Sequence, residues 1–379
     1  MELLTSSRAS SFRACPRKHY YAYTLGWRTC REPAARWFGT CLHKGWEGYW
    51  RARKAGVLGA DRLAAALQAL PTGMEPFDYA KATAILTVYT SIWDRFECRV
   101  ISVETQFRLP LLNPETGYPS TIWQRGGKLD VLVELPDGRI AVIEHKSTSE
   151  DASPGSAYRQ RLVMDGQVSE YFDGGDSKDV RLKLTSNRAV SVLIYDIVTK
   201  PRIKPLVATP VEERKYTQAK SRVCPECKKK NAAPAPHTTV VLDEESGYET
   251  RYQCVEGRIV TDPGGRLYAN MRDTDETPDE YADRCVEVML AEVDRHFQRA
   301  EIVRLQNQRN EHQLDTWHTA HDIRRSELTH AAPRNPGSCF RFGSPCDYWP
   351  VCTGETTIEN GELYRKLGQV HEELEEREA

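Results

Sequence analysis

The 379-residue sequence has no apolar run approaching the roughly 20 residues that a membrane-spanning helix needs, which excludes an ordinary integral membrane protein. Its first eight residues lack the apolar core of a signal peptide, so we expect a cytoplasmic protein. It contains no Gly-x-x-x-x-Gly-Lys-Ser/Thr loop, so we expect no ATPase of that type on this chain. The net charge is only −2, which provides no overall attraction to nucleic acid.

The composition is that of a globular protein, with 40% hydrophobic and 28% charged residues, in a chain long enough for one elaborated domain or a domain with an insertion. Charge is unevenly distributed. Residues 1–60 hold eleven Lys and Arg against three Glu, whereas the last 25 residues hold eight Glu against three Lys and Arg. The basic segment could follow a phosphate backbone, although such segments more often form a solvated surface.

The most informative stretch is a predicted β-hairpin. Two apolar runs, Leu129–Leu135 and Ile140–Ile143, flank the turn-forming tripeptide Pro136-Asp137-Gly138. If these three residues form the loop, Leu135 pairs with Arg139 and the register of every other cross-strand pair follows. Residues 140–143 are apolar on both faces, which indicates a central strand with a protected end.

That register predicts a site at the end of the hairpin. Asp130 lies opposite Glu144, with Cβ atoms about 5 Å apart, and Lys146 leaves the same face as Glu144. Adjacent carboxylates repel unless a cation lies between them, and a hard divalent ion does this best. A neighbouring lysine can orient or help deprotonate a water, or stabilise developing phosphorane charge. A solvated hairpin end with a salt bridge is the alternative, and the apolar strand disfavours it.

The sequence Gly127-Lys128-Leu129-Asp130, followed by Glu144-His145-Lys146-Ser147, resembles the signature of the PD-(D/E)XK nucleases. Its form is similar to the RecB-type branch, which includes the AddB nuclease domain, CRISPR-adaptation nucleases and phage-type exonucleases. The resemblance covers roughly residues 1–200 and 275–355. It implies an α/β fold with a restriction-endonuclease-like core, a central mixed sheet flanked by helices, and Mg²⁺- or Mn²⁺-dependent hydrolysis of DNA.

Two helical motifs extend the resemblance. Gly39-Thr40-Cys41-Leu42-His43, on a helix predicted over 36–54, resembles the Gly-Thr-x-x-His element that delivers a histidine to the metal. Without the resemblance, His43 would more simply be a packed histidine. Gln167 and Tyr171, four residues apart on a helix predicted over 158–172, match the Gln-x-x-x-Tyr element of the branch.

The resemblance therefore implies a role for each site residue. The metal ligands would be His43, Asp130, Glu144 and the His145 carbonyl, and Lys146 would activate or orient the attacking water. Gln167 and Tyr171 would support the site and the DNA strand. Glu104, on a strand predicted over 101–109, is the candidate for an acidic residue that the family often carries before the hairpin.

Eleven cysteines in a reducing compartment favour metal ligation over disulfides. Cys339, Cys346 and Cys352 lie within fourteen residues, and Cys15, in a helix predicted over 6–23, would complete four thiolates if the two ends of the chain meet. Such a set suits zinc or an iron–sulfur cluster. The resemblance implies a 4Fe-4S cluster, because iron-staple nucleases of the branch place one cysteine before the core and three after it.

Residues 201–270 change in composition and are predicted to form a β-rich insertion. Cys224-Pro225-Glu226-Cys227 is half of a zinc site, and the other half would have to come from His237 and Cys254. The spacing is irregular and no second Cys-x-x-Cys pair is present, so a structural zinc and a metal-free loop both remain open.

The expected domains are a nuclease core over 1–200, the insertion over 201–270, C-terminal helices with the three-cysteine motif over 271–355, and an acidic tail over 356–379. The C-terminal helices are predicted over 277–312 and 314–328.

The expected function is an exonuclease on single-stranded or frayed DNA, in recombination, repair or mobile-element processing, with a recombination or CRISPR-adaptation protein as a further partner. The rivals are a CRISPR-adaptation nuclease that trims DNA ends, a helicase–nuclease subunit, which the missing ATPase loop disfavours, and a non-catalytic DNA-binding or assembly subunit. The last predicts a broken site, whereas every expected residue is present.

Overall fold

A computed structural model of the chain describes residues 1–230, 235–242, 248–341, 344–368, 370–371 and 374. Parts of the predicted insertion (231–234 and 243–247) and of the predicted acidic tail (369, 372–373 and 375–379) lie outside the described residues. The chain divides into two compact units, one formed by Met1–Arg202 with Ala282–Ala379 and the other by Ile203–Tyr281. Within the described ranges, no helix is long and apolar enough to cross a membrane.

Thirteen α-helices are found in the described residues: α1 (Ser6–Ala14), α2 (Pro16–His19), α3 (Ala34–Lys54), α4 (Ala60–Gln68), α5 (Pro76–Trp93), α6 (Ala157–Val163), α7 (Gly166–Gly175), α8 (Lys178–Lys183), α9 (Pro225–Lys230), α10 (Pro278–Ala291), α11 (Val293–His296), α12 (Gln306–Leu328) and α13 (Trp349–Thr353). A π-helical turn, Tyr20–Thr24, follows α2, and short 3₁₀ turns occupy Val211–Glu213 and Pro336–Ser338.

The strands in the same residues are β1 (Glu2–Leu4), β2 (Trp27–Thr29), β3 (Arg99–Leu112), β4 (Pro119–Glu134), β5 (Ile140–Thr148), β6 (Val190–Thr199), β7 (Lys220–Val223), β8 (His237–Leu242), β9 (Glu249–Val255), β10 (Arg258–Asp262), β11 (Phe297–Ile302), β12 (Phe340–Arg341), β13 (Ser344–Pro345) and β14 (Tyr364–Lys366). The central sheet has the order β1-β4-β5-β6-β11, and β3 also pairs with β4. The β1–β4 and β5–β6 pairs are parallel and the other pairs are antiparallel, so the sheet is mixed.

The hairpin between β4 and β5 has the predicted register. Val131 pairs with Ile143 and Glu134 pairs with Ile140, as a three-residue loop requires. The Leu135 amide donates to the Arg139 carbonyl at 2.9 Å and closes the loop. The prediction of the hairpin and its register is therefore confirmed.

Helices cover both faces of the sheet around this hairpin. On one face, Val168 and Tyr171 of α7 pack in the same core cluster as Val142 of β5. On the other face, α3 and α5 surround His145. Helix α3 approaches α5 so closely at Gly45 that a Cβ there would lie 2.6 Å from a Leu86 methyl group, which explains the glycine. The α/β fold with a mixed sheet between helices is confirmed.

The prediction of one continuous helix over 277–312 is wrong in its middle part. Residues Phe297–Ile302 form β11, which pairs antiparallel with β6 from Phe297↔Val198 to Ile302↔Leu193. The free edge of β6 would expose a row of backbone donors and acceptors, and pairing with β11 satisfies them. This tertiary demand overrides a sequence that also suits a helix. The helix predicted over 314–328 is the second part of the longer α12.

Two other predicted helices are interrupted, each at a residue whose local chemistry ends or starts a helix. The helix predicted over 158–172 is two helices, because Asp165 caps α7 by accepting the Gln167 amide at 2.9 Å. The helix predicted over 6–23 breaks at the extended residue Cys15, which precedes Pro16. Proline disfavours the helical conformation of the residue before it.

The unit Ile203–Tyr281 contains an antiparallel sheet with the order β7-β10-β9-β8. Strands β9 and β10 are joined by a two-residue turn, Glu256-Gly257, in which both residues have positive φ, 49° and 77°. This is the backbone conformation of a tight hairpin turn. The buried apolar cluster of this unit consists of three cysteines and Ile259.

Candidate active site

Asp130 lies at the end of the hairpin and is 8% exposed. One of its oxygens, Oδ2, accepts the His145 backbone amide at 3.0 Å and lies 3.4 Å from His145 Nδ1 and 3.5 Å from His43 Nδ1. Burial alone would raise the pKa of Asp130, but His43 and the His145 hydrogen bonds hold it well below its usual range. Asp130 is therefore a carboxylate at neutral pH.

His43 faces the same carboxylate from α3. Burial lowers the pKa of His43 to about 4, a stronger effect than the opposing attraction of Asp130. The imidazole is therefore neutral at pH 7, which is the form that binds metal ions. The structure thus brings His43 to Asp130, as the resemblance implied.

Glu144 is 2% exposed, and only one of its oxygens has a partner. Oε1 accepts the Lys146 ammonium at 2.7 Å, whereas Oε2 is buried without a hydrogen bond to any residue that the structure describes. Burial and the charge of Asp130 raise the pKa of Glu144 to about 8, outweighing Lys146 and the Tyr171 hydroxyl. A buried, orphaned carboxylate oxygen beside a second carboxylate fits a bound cation, which would satisfy the oxygen and offset the repulsion.

Lys146 is held from two sides. Its Nζ donates to Glu144 Oε1 and to Gln167 Oε1, both at 2.7 Å. The Gln167 amide in turn donates to the Tyr171 hydroxyl at 2.6 Å. Burial would lower the pKa of Lys146, but Glu144 raises it above its usual value, so the side chain is a cation. The predicted Gln-x-x-x-Tyr pair therefore contacts the predicted lysine directly.

Asp165 fixes the helix that carries Gln167, a role that the sequence pattern did not predict. Its Oδ1 caps α7, and its Oδ2 accepts the Tyr195 hydroxyl of β6 at 2.9 Å. The Tyr195 ring lies beneath Lys146, with the ammonium 5.7 Å from the ring centroid. The sequence signal was Asp165-Gly166 inside a predicted helix, because aspartate is a strong N-cap residue.

His145 lies on the opposite face of β5, against α3. The Trp50 indole donates to His145 Nε2 at 2.9 Å, and the Trp46 ring stacks on the imidazole with centroids 4.9 Å apart. An indole N–H can only donate, so Nε2 is the acceptor and Nδ1 carries the proton of the neutral ring. That Nδ1–H points at Asp130, so Trp50 sets the tautomer that holds the carboxylate.

A buried acidic residue behind His145 was also missed. Asp196 is fully buried, and its Oδ2 accepts the Tyr89 hydroxyl at 2.7 Å and Arg299 at 2.8 Å. The guanidinium carbon of Arg299 lies 3.8 Å from the Trp93 ring centroid. The available signal was that Asp196 is the sole charged residue of the apolar strand Val190–Thr199. Such a residue needs a buried partner.

Glu104 approaches the site from β3. It forms an ion pair with Lys128 and has the positive φ of 56°, which is unusual for a residue with a side chain. Burial and the charge of Asp130 raise its pKa.

The two ends of the chain meet at the first set of cysteines. The Asn335 amide donates to Cys15 Sγ at 3.4 Å, and Cys339 Sγ donates to the Asn335 carbonyl at 3.7 Å. The Cys346 amide donates to the Cys339 carbonyl at 2.7 Å. Burial raises the pKa of the Cys352 thiol, and the neighbouring Cys346, Cys15 and Cys339 raise it further.

The second set of cysteines is more compact. The ligand atoms of Cys224, Cys227, His237 and Cys254 all lie within 4.8 Å of one another. Among the described residues no other group of at least three Cys, His, Asp or Glu is so close, so the Cys15 set is more widely spaced. The Cys₃His group could bind a metal ion.

The geometry at the hairpin, with two carboxylates, a neutral imidazole and a lysine, suits a hard divalent cation beside a phosphate. Over residues 4–254, more than half of the chain, the sequence matches the family model of the PD-(D/E)XK nuclease superfamily. The chain belongs to this superfamily. Members of the PD-(D/E)XK superfamily are typically nucleases that hydrolyse phosphodiester bonds with divalent metal ions, which implies a DNA substrate. None of the curated proteins matches the chain.

Proposed function

We propose that the protein is a metal-dependent deoxyribonuclease of the RecB-type branch that acts as an exonuclease on single-stranded or frayed DNA ends. The observation that carries the proposal is the orphaned Glu144 Oε2, buried beside Asp130 and next to the Lys146–Gln167 pair. A buried carboxylate oxygen without a partner is costly, and a cation bound between Glu144 and Asp130 would satisfy it and offset the repulsion between the two carboxylates.

The ligands that would hold Mg²⁺ or Mn²⁺ are Asp130, Glu144 and His43, with the His145 carbonyl. When bound, the metal ion supplies charge neutralisation at the scissile phosphate and lowers the pKa of a coordinated water. His145 orients Asp130 through its backbone amide and Nδ1.

Lys146 is proposed to orient the attacking water and to stabilise negative charge that develops on the phosphate. Its ammonium has one hydrogen bond to Glu144 and one to Gln167, which leaves its third N–H for a water or a phosphate oxygen. Gln167 and Tyr171 keep the ammonium at this position. Because both Lys146 partners are acceptors at 2.7 Å, the side chain is preorganised before substrate arrives.

The proposal includes a 4Fe-4S cluster at Cys15, Cys339, Cys346 and Cys352. The observation that supports it is that the ends of the chain meet at these residues. Four cysteine thiolates are the usual ligands of such a cluster. Such a cluster would join the N-terminal helices to the C-terminal segment.

The domain organisation and the pathway remain proposals as well. We propose a nuclease core over 1–200, an insertion over 201–270, a C-terminal cluster region over 271–355 and an acidic tail over 356–379. The favoured cytoplasmic roles are in recombination, repair or mobile-element processing with a protein partner. A CRISPR-adaptation nuclease would have the same site and differ in its partner.

The test is cleavage of end-labelled single-stranded DNA, and of duplexes with blunt or frayed ends, with Mg²⁺, Mn²⁺ or EDTA. The Lys146→Ala variant should cleave about 100- to 1,000-fold more slowly, as expected for loss of a preorganised electrostatic group. Lys183→Ala removes an exposed lysine of α8 and should leave the rate unchanged. Mononucleotide or short products from labelled ends support an exonuclease.

The same experiment distinguishes the exonuclease from the alternative functions. Internal cleavage of circular single strands would refute the exonuclease and retain the nuclease. DNA binding without cleavage by folded, cluster-containing protein under every metal condition would favour the non-catalytic subunit.

A further inference from the structure

In its described residues, the unit Ile203–Tyr281 lacks the hydrophobic core that a folded unit of its length needs. Its buried cluster contains Cys224, Cys227, Cys254 and Ile259, with Val241 and Tyr252 only partly buried around them. Elsewhere in its sheet, large apolar side chains point to solvent: Val223, Val240, Leu242, Val255 and Val260 are each about half exposed or more. Units with so little buried apolar surface need a disulfide or a metal ion to remain folded.

The three cysteines form no disulfide, and they converge with a histidine. Cys227 Sγ lies 3.5 Å from Cys254 Sγ, and His237 Nε2 lies 3.6 Å from Cys224 Sγ and 3.9 Å from Cys227 Sγ. In a tetrahedral zinc site, ligand bonds of 2.0–2.3 Å place neighbouring ligand atoms about 3.5–3.8 Å apart. The separations therefore match those around a single ion.

The surroundings orient these ligands. His237 Nδ1 lies 3.2 Å from the Ala235 carbonyl, so the ring can donate there and keep Nε2 free as a ligand. The Cys224 amide donates to the Gly257 carbonyl at 2.8 Å, which joins the Cys-x-x-Cys loop to the turn after Cys254. A Cβ at Gly257 would lie 3.9 Å from Cys227 Cβ, so this turn lies directly beside the loop.

Three separate segments contribute the ligands. Cys224 and Cys227 come from the start of α9, His237 from the start of β8 and Cys254 from the end of β9. The register of β8 and β9 pairs His237 directly with Cys254, so the sheet itself brings two of the ligands together. One ion would therefore join α9 to two strands.

We propose that Cys224, Cys227, His237 and Cys254 bind one Zn²⁺ ion, and that this ion, in place of a hydrophobic core, keeps the unit Ile203–Tyr281 folded. Three thiolates and one imidazole are the donor set of structural zinc sites. With all four positions filled by protein, the site has no open position for substrate, so its role is structural. The ion would have this structural role whether or not the chain cleaves DNA.

The test measures zinc and iron per chain in the full-length protein purified anaerobically. We expect one zinc per chain in the native protein and in Cys98→Ser, which replaces a half-buried cysteine of the other unit. Cys227→Ser should lose at least about nine-tenths of the zinc, because removing one of four ligands weakens such a site strongly. X-ray absorption at the zinc edge should show three sulfur neighbours and one nitrogen, and His237→Cys should keep the zinc and show four sulfurs.

Folding is measured by limited proteolysis of the native protein before and after removal of zinc with a chelator. Cleavage within 203–281 should become at least tenfold faster, whereas cleavage within 1–202 should not change. Absence of zinc from the native protein, iron at these ligands, or full zinc in Cys227→Ser would overturn the site. Unchanged proteolysis after zinc removal would overturn its structural role.

Discussion

The substitution Trp50→Phe tests whether Trp50, through His145, orients the proposed metal ligand Asp130. In the native protein the Trp50 indole donates to His145 Nε2 at 2.9 Å, which keeps the imidazole proton on Nδ1 and facing Asp130. Phenylalanine keeps the aromatic ring and removes the donor. The His145 proton is then no longer confined to Nδ1, and the other tautomer places a lone pair 3.4 Å from Asp130 Oδ2.

The size of the effect follows from the chemistry of the contact. Loss of a residue that orients a metal ligand typically weakens metal binding about 10- to 100-fold, or about 1.4–2.8 kcal/mol. His145 Nε2 is also left without its donor in a buried site, which should lower the free energy of unfolding by about 1–3 kcal/mol. Tyr89 can replace the indole only in part, because its hydroxyl hydrogen already goes to Asp196.

The assay is the initial rate of DNA cleavage as a function of Mn²⁺ concentration. Trp50→Phe should raise the half-saturating Mn²⁺ concentration about 10- to 100-fold. The rate at saturating Mn²⁺ should remain within a few fold of the native rate, since Lys146 and Gln167 are untouched. The split between metal affinity and maximal rate distinguishes a positioning residue from one that acts on the phosphate.

Trp46→Phe is the matched control. Trp46 lies one helical turn before Trp50 and stacks on the same imidazole, but its indole N–H is buried without a hydrogen-bond partner in the described parts of the chain. This substitution should leave the half-saturating Mn²⁺ concentration unchanged. Equal shifts in both variants would refute the reasoning, as would a loss of rate in Trp50→Phe that saturating Mn²⁺ does not restore.

Two further predictions concern stability, measured as the free energy of unfolding in urea. Arg125→Met removes the ion pairs of Arg125 with Asp173 at 2.8 Å and with buried Glu170 at 3.2 Å, and should cost about 3 kcal/mol even though Arg309 still pairs with Asp173; a variant as stable as the native protein would show that these pairs contribute nothing. Gly174→Ala places a Cβ 2.6 Å from the Phe107 ring and should cost about 1–3 kcal/mol, whereas Gly361→Ala, where a Cβ meets nothing within 4 Å, should be nearly neutral.

The parts of the fold that depend on local chemistry could be predicted from the sequence. The tripeptide Pro136-Asp137-Gly138 and the two-residue period of the flanking strands determine a register in which Asp130 faces Glu144. The spacing of Gln167 and Tyr171 places both on one helical face. The structure confirms the hairpin register and brings these side chains together, while their catalytic roles remain predictions.

Features that depend on distant partners could not be predicted in the same way. The sequence of residues 297–302 suits a helix, but these residues form a strand because the open edge of β6 offers them backbone hydrogen bonds. The Asp196–Arg299 ion pair joins residues far apart in the chain, and only the unusual charge in an apolar strand hinted at it. For Cys15, only the resemblance predicts three C-terminal cysteines as partners in a cluster, and that cluster remains a prediction.

Glu144 is proposed to be a ligand of the catalytic metal ion, and the substitution Glu144→Gln is a direct test of this role. The change keeps the shape of the side chain and removes the charge that would bind the cation. The measurement is single-turnover cleavage of end-labelled single-stranded DNA across a range of Mg²⁺ concentrations, with DNA binding measured in EDTA on the same preparation. Glu144→Gln should bind DNA as the native protein does but lose metal-dependent cleavage. Cleavage by Glu144→Gln at the native rate, with the native dependence on Mg²⁺, would contradict this role.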